Sequence, residues 1–289
     1  MNATTRVTNL RVAAAFSIVL ACAMAQAGTV SSFTLIDGEG FESPDYSLGI
    51  LEGQFASTFE GFGSAAWVQS PLGGTSTAVV QDSVVASGSQ AVQVDRAASS
   101  DDRWAVPITG APAERFVCID WDMYVEQSTT TGFGPFFGIE AYDDDATTIL
   151  RVGSLGVDAA TGEILYTLRD DGVLPGFLVP TPGGETVNFN EWNSFRMVLD
   201  YATDEAYMFL NNDLLLTTPF EQDGSDQFTD ADIAAIAASF DPASVSATGT
   251  AYFDNYFVFE TNDINKIPEP ATVAFLAVAL AAASTQRRR

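Results

Sequence analysis

Asp120, Asp122 and Glu126 stand at spacings of two and four in a stretch where polar and apolar residues alternate. Alternation at period two puts all three on one side of a strand. Two carboxylates about 5–9.5 Å apart can divide the work of acid and nucleophile or base in glycoside hydrolysis. Tyr124 shares that side, and Arg196 and Asp200 share one side of a second alternating stretch. Acids, an Arg and a Tyr on an open face suit hydrogen bonds to sugar hydroxyls. Trp104, beside Asp101, Asp102 and Arg103, and Trp67 offer rings on which a sugar can stack. Trp121 falls with the apolar set of its strand, and Trp192 opens a hairpin, so both read as structural. Asp143-Asp144-Asp145 is an acidic turn, and Ca²⁺ takes carboxylate and carbonyl oxygens. The plain alternative in each case is a hydrated strand face, a core ring or a surface turn.

The composition narrows this chemistry. The 289 residues include 38 acidic, 12 basic and no histidine, for a net charge of −26. Ser-His-Asp and Cys-His catalysis and His-ligated zinc are thereby excluded. Between Gly28 and Lys266 only seven basic residues stand against 37 acidic ones. Nucleic acid is excluded as a partner, because phosphate contacts need Lys and Arg. Of the two cysteines, Cys22 lies in a segment expected to be removed, which leaves Cys118 as a lone thiol on the polar side of its strand. A lone thiol of this kind is read as an inert small residue.

The elements that must position these residues are strands. Val117 to Val125 and Phe195 to Tyr201 alternate, Ala206 to Leu210 follows as a hairpin partner, and Asn211-Asn212-Asp213 turns the chain into Leu214 to Thr217. Further strands are expected at Thr77 to Val80, Gln90 to Asp95, Phe136 to Ala141, Ile149 to Val152 and Ile164 to Leu168. A last strand sets Phe253, Phe257 and Phe259 on one side and Asp254 and Tyr256 on the other. One helix is expected: Thr229 caps it, Asp232 sits in its first turn, Ile233, Ile236, Ala237 and Phe240 form its apolar face, and Pro242 follows its end. The expectation is an all-β, antiparallel two-sheet sandwich with one short helix.

Two resemblances sharpen it. Trp192-Asn193-Ser194-Phe195, with its strands and the Asn211-Asn212-Asp213 turn, resembles the W-x-x-F hairpin of laminin G and concanavalin A-like jelly rolls. Asp213 stands where that family usually has Gly. Gly40-Phe41-Glu42-Ser43 and Tyr252-Phe253-Asp254-Asn255 resemble the two ends of jelly-roll carbohydrate-binding modules. Both imply a jelly roll, with the concanavalin A-like strand order preferred. The module resemblance implies a structural Ca²⁺ held by Glu42 and Asp254. Laminarinase-type glucanases share the concanavalin A-like fold and carry E-x-D-x-x-E or E-x-D-x-E on one strand. Here Asp120 replaces the first Glu, and Glu126 comes late.

The two ends read as addresses. Arg6 and Arg11, the apolar run Val12 to Ala23 and Ala25-Gln26-Ala27 form the three parts of a secretory signal peptide, residues 1–27. Val19-Leu20-Ala21-Cys22 offers lipidation as an alternative. Residues 28–262 form the sandwich domain. In 263–289, Pro268-Glu269-Pro270 precedes an apolar run, Ala271 to Ala283, and Arg287-Arg288-Arg289. A tail anchor with cytoplasmic arginines is the plain reading of this hydrophobic helix. The order of parts resembles the PEP-CTERM sorting signal of Gram-negative bacteria. That resemblance implies cutting by an exosortase-type membrane protease, after export by the Sec machinery and signal peptidase. The product would be a protein of the cell surface or extracellular matrix, transiently membrane-anchored and in reach of extracellular polysaccharide. With no catalytic set beyond carboxylates, the reading is a non-enzymatic binder. The alternatives are a glycosidase or a ligand-free scaffold.

Overall fold

Residues 116–125 form the strand that their alternation predicts. Val117, Ile119, Trp121, Met123 and Val125 are buried in the core, while Asp120, Asp122 and Tyr124 are half-buried on the opposite side. The computed structural model describes residues 32–263, apart from 59–63, 72, 109–111, 113, 131, 145–148, 170–176 and 240. Both terminal signals lie outside the described residues. Among the described residues no helix is long and apolar enough to cross a membrane.

The strands are β1 (Ser32–Asp37), β2 (Gly49–Ile50), β3 (Phe55–Thr58), β4 (Ser64–Ala66), β5 (Val68–Ser70), β6 (Thr77–Gln81), β7 (Ala91–Arg96), β8 (Asp102–Ala105), β9 (Phe116–Val125), β10 (Phe136–Asp144), β11 (Ile149–Asp158), β12 (Ile164–Thr167), β13 (Leu178–Pro180), β14 (Trp192–Asp200), β15 (Glu205–Leu210), β16 (Asp213–Pro219), β17 (Asp230–Ile236) and β18 (Gly249–Thr261). They pair into two antiparallel sheets. The first runs β16-β15-β14-β9-β18 and then forks: β18 pairs with β7 along Gly249 to Phe253 and with β1 along Phe257 to Thr261. Beyond the fork, β7 continues to β6 and β2, and β1 to β3 and β4. The second sheet is β13-β12-β11-β10-β17-β8-β5. Ile119, Met197 and Phe253 of the first sheet and Ile139, Leu155 and Ile233 of the second meet in one core. Each such side chain stabilises the fold by about 1.5–3 kcal/mol when fully buried. The architecture is the expected all-β jelly-roll sandwich.

Three expectations are corrected. The segment expected to be a helix from Thr229 is β17, an inner strand between β10 and β8. Thr229 Oγ1 does not cap a helix; it donates to the Tyr142 carbonyl and accepts from the Asp144 amide. Ala231, Ile233 and Ala235 enter the main core, while Ala234 and Ile236 join an apolar cluster on the other side of the sheet. A strand buried on both faces loses its polar alternation, and the spacing of Ile233 and Ile236 then imitates a helix. The short helix lies just beyond, at Pro242–Ser246 (α1), with Asp241 Oδ1 accepting from the Ala243 amide and Pro242 at its start.

The second correction concerns β18. A bulge shifts its register between Asp254 and Phe257, and Asn255 adopts a left-handed φ of 51°. Tyr256 and Val258 therefore enter the core beside Phe253, and Phe257 and Phe259 turn outward. The extra residue of a bulge reverses which side each later residue faces. Cys118 also differs from expectation. Its side of the sheet is apolar there, packed with Phe116, Val198, Phe209 and Phe259.

Candidate functional site

Antiparallel register sets β14 beside β9, with Arg196 opposite Asp120, Ser194 opposite Asp122 and Trp192 opposite Tyr124. Arg196 grips Asp120 in two places, Nε to Oδ1 at 2.5 Å and Nη2 to Oδ2 at 2.6 Å. Both side chains keep about a quarter of their surface exposed, 27% and 26%. Such a pair contributes only about 0–1 kcal/mol to stability, so its main consequence is a guanidinium held in place. Asp122 accepts from Ser194 Oγ and, at 2.6 Å, from Asn255 Nδ2. The Asn211-Asn212 turn brings in Asn212; both residues have positive φ, which suits a two-residue hairpin. Asp120, Asp122, Ser194, Arg196, Asn212, Asn255 and Phe257 line a cavity of about 300 Å³.

Three aromatic rings adjoin the cavity along the strands. Trp192, Tyr124 and Tyr252 are register neighbours on β14, β9 and β18. The Tyr124 centroid lies 5.7 Å from that of Trp192 and 5.5 Å from that of Tyr252. The Tyr252 hydroxyl donates to Glu126 Oε1 at 3.1 Å. Burial, and then the Glu126 charge, push this phenol up to about 12, so it remains a neutral donor. The site thus offers carboxylate acceptors, hydroxyl and amide donors and the half-buried rings of Tyr124 and Trp192, the groups that hold a sugar, while buried Tyr252 braces Tyr124 from the side.

Of the residues singled out by sequence, Asp120, Asp122, Tyr124, Arg196 and Glu126 come together. Trp104 and Arg103 do not join them, because β8 belongs to the second sheet. Trp104 is 1% exposed in the core and presents no stacking face; Trp67 is equally buried and donates to the Tyr46 hydroxyl. Asp200 is closed off by a bidentate contact from Arg115. Asp143 is buried and accepts from the Asp226 and Gln227 amides, as a loop anchor. Trp192 was read as structural, Asn212, Tyr252 and Asn255 were noted only for their turn and strand, and Ser194 only as part of the hairpin motif. Parity places Trp192, Ser194 and Tyr252 on the side away from the core, but only the register, the hairpin turn and the bulge bring all five around Asp122 and Tyr124.

Glu42 and Asp254 were tested for fit to a cation. Glu42 accepts from the Ser89 amide at 2.6 Å, the Ser89 hydroxyl at 2.5 Å and the Gln90 amide at 2.9 Å. Burial raises its pKa, but these bonds outweigh burial and the net shift is downward. Asp254 accepts from the amides of Ala86, Ser87 and Asn255. Five backbone N–H groups and the Ser89 hydroxyl donate to the two carboxylates. The residues therefore fit a loop clamp and do not fit a Ca²⁺ cage, which needs carbonyl and carboxylate oxygens. Gly88, at the centre of the clamped loop, has a φ of 67°, and a Cβ there would lie 2.1 Å from Glu42 Oε1. Among the described residues no three acidic or thiol side chains gather to hold a metal ion.

The most perturbed acids lie on the second sheet. Glu140 and Asp232 are register partners on β10 and β17. Glu140 accepts from Arg103, Arg151 and the Tyr142 hydroxyl. Burial raises its pKa, but the two arginines more than reverse the effect. Asp232 is pushed well above the usual range by burial and by Asp230, and its Oδ1 has no partner. Burial and Asp144 raise Asp230 to about 7. The Glu140 side chain is fully buried beneath its arginines, which gives it a structural role.

No protein-family model matches the chain, and no curated protein matches it. Among solved structures it is similar to a sialidase (10% identity, TM-score 0.44), over 66% of this chain and only 16% of the sialidase. It is also similar to cellulose induced protein Cip1 (15% identity, TM-score 0.46), over 68% of this chain and 90% of that one. A third likeness is to the PL-14 alginate lyase from Aplysia kurodai (10% identity, TM-score 0.45), over 62% of this chain and 86% of that one. At these values none of them bears on what this chain binds.

Proposed function

We propose that this is an exported protein of the cell surface or extracellular matrix that binds a neutral polysaccharide and is not an enzyme. The observation that carries the binding role is the convergence of Asp120, Asp122, Ser194, Arg196 and Asn212 on one outward cavity beside Trp192, Tyr124 and Tyr252. Asp120 is committed to Arg196 and Asp122 to two donors, an arrangement that supports recognition over acid–base chemistry. The body's excess of acids repels anionic polymers and leaves neutral ones as ligands. Export rests on the two terminal patterns, with signal peptidase, the Sec machinery and an exosortase-type protease as processing partners.

A glycan array tests this on the mature protein, with and without Ca²⁺. Retention of neutral glycans, equal with and without Ca²⁺, is the expected result. New reducing ends released from a bound glycan would overturn the non-enzymatic reading. Retention of acidic glycans alone would overturn the ligand class.

A further inference from the structure

A second cavity, of about 320 Å³, lies on the other side of β18, with Asp37, Glu42 and Ser87 in its wall. It shares two residues with the first: Asn255 and Phe257. We propose that the two cavities are halves of one groove, which takes a linear neutral glycan of several sugar units laid across Asn255 and Phe257. This deepens the function proposed above and rests on it.

The fork in the first sheet creates the geometry. β18 loses β7 as a neighbour after Phe253 and gains β1 at Phe257, and its bulge falls in the interval. A bulge at such a break re-aims side chains. Asn255, in its left-handed conformation, is fixed at both ends of its amide. Nδ2 donates to Asp122 in the first cavity, and Oδ1 accepts from Ser87 Oγ at 2.9 Å beside the second. It is thus a rigid saddle between them. The same bulge turns Phe257 outward, where its half-buried ring lines both cavities. A sugar ring crossing the saddle would meet that aromatic face. Carboxylates stand on both sides, Asp120 and Asp122 in one cavity and Asp37 in the other, so both halves carry acceptors and repel anions. A single sugar fills one half only; a chain fills both.

The test is a length series of the neutral glycan that the array identifies, from monosaccharide to hexasaccharide, titrated calorimetrically into the purified protein. Affinity should rise about tenfold or more with length and then level off. Phe257→Ala should abolish most of that rise, so that long and short oligomers bind with similar affinity. Asp37→Asn, in the second cavity alone, should lower affinity for long oligomers only, and it serves as the readout should Phe257→Ala fail to fold. Equal affinity at every length, or an undiminished rise in both variants, overturns the shared groove while leaving the first cavity as a binding site. No binding at any length overturns both readings.

Discussion

Asp230 and Asp232 keep protons at pH values where a free aspartate has lost its own. The unfolded chain releases these protons near pH 4. The folded chain holds the one on Asp230 to about 7. Between those values the folded state binds more protons, so stability falls as pH rises through this window. Glu140 has the opposite sign: its contribution is present above the unfolded pKa and is lost only as pH falls through its depressed value. Melting temperature should therefore rise as the buffer goes from pH 8 to pH 5. Relief of charge repulsion acts in the same direction, so the informative quantity is a difference between variants. Asp230→Asn should melt several degrees above wild type at pH 8 and level with it at pH 5; exposed Asp45→Asn should show no such crossover. Parallel profiles would contradict the buried-acid account. Glu140→Gln should be costly between pH 5 and pH 8, because it leaves Arg103 without its buried partner and Arg151 with Glu221 alone. A loss of about 3–5 kcal/mol is expected, which corresponds to a drop of roughly 10 °C for a chain of this size. A drop within the scatter of replicate melts would refute it.

Glu42 and Asp254 act at the scale of an element, since they fasten the loop at 84–90 into the fork of the first sheet. Glu42→Ala should speed amide hydrogen exchange at Ser89 and Gln90 and lower the melting temperature by a few degrees. Unchanged protection of those two amides would refute the clamp. Because these carboxylates are engaged by loop N–H groups and the Ser89 hydroxyl, Ca²⁺ and Mg²⁺ at equal concentration should raise the melting temperature equally, by screening alone. A larger rise with Ca²⁺ would restore the cation reading. The strands themselves were legible where one side meets the core and the other meets water. β9 and β14 show this, and with them the shared side of Asp120, Asp122 and Tyr124. Two things hid the rest. β17 is buried on both faces and turns apolar on both after Asp232, so the spacing of Ile233 and Ile236 imitates a helix. The bulge at Asn255 reverses the facing of all that follows, and alternation carries no sign of a single inserted residue. The neighbours of Asp122 from β18 were illegible for a different reason: parity gives a side, whereas adjacency depends on register with a distant strand.

At the scale of the whole molecule, two sheets close one core, and among the described residues the arginines sit in pairs with acids rather than in a patch: Arg196 with Asp120, Arg115 with Asp200, Arg103 and Arg151 with Glu140. What remains outward on the first sheet is acceptor-rich and aromatic. The proposed processing is tested on the whole chain. Intact mass of the surface-extracted protein should match a chain that begins near Gly28 and ends near Pro268 to Pro270. A mass that includes Arg287 to Arg289 would favour a plain tail anchor. The central claim, that the face of β9, β14 and β18 binds neutral glycan, is tested most directly by one affinity measurement. Wild type and a Tyr124→Ala, Arg196→Ala double variant are titrated with the same neutral oligosaccharide, after their melting temperatures have been compared. The account predicts at least about a tenfold loss, roughly 1.4 kcal/mol, in a variant that still folds. Equal affinity in a folded double variant would contradict it.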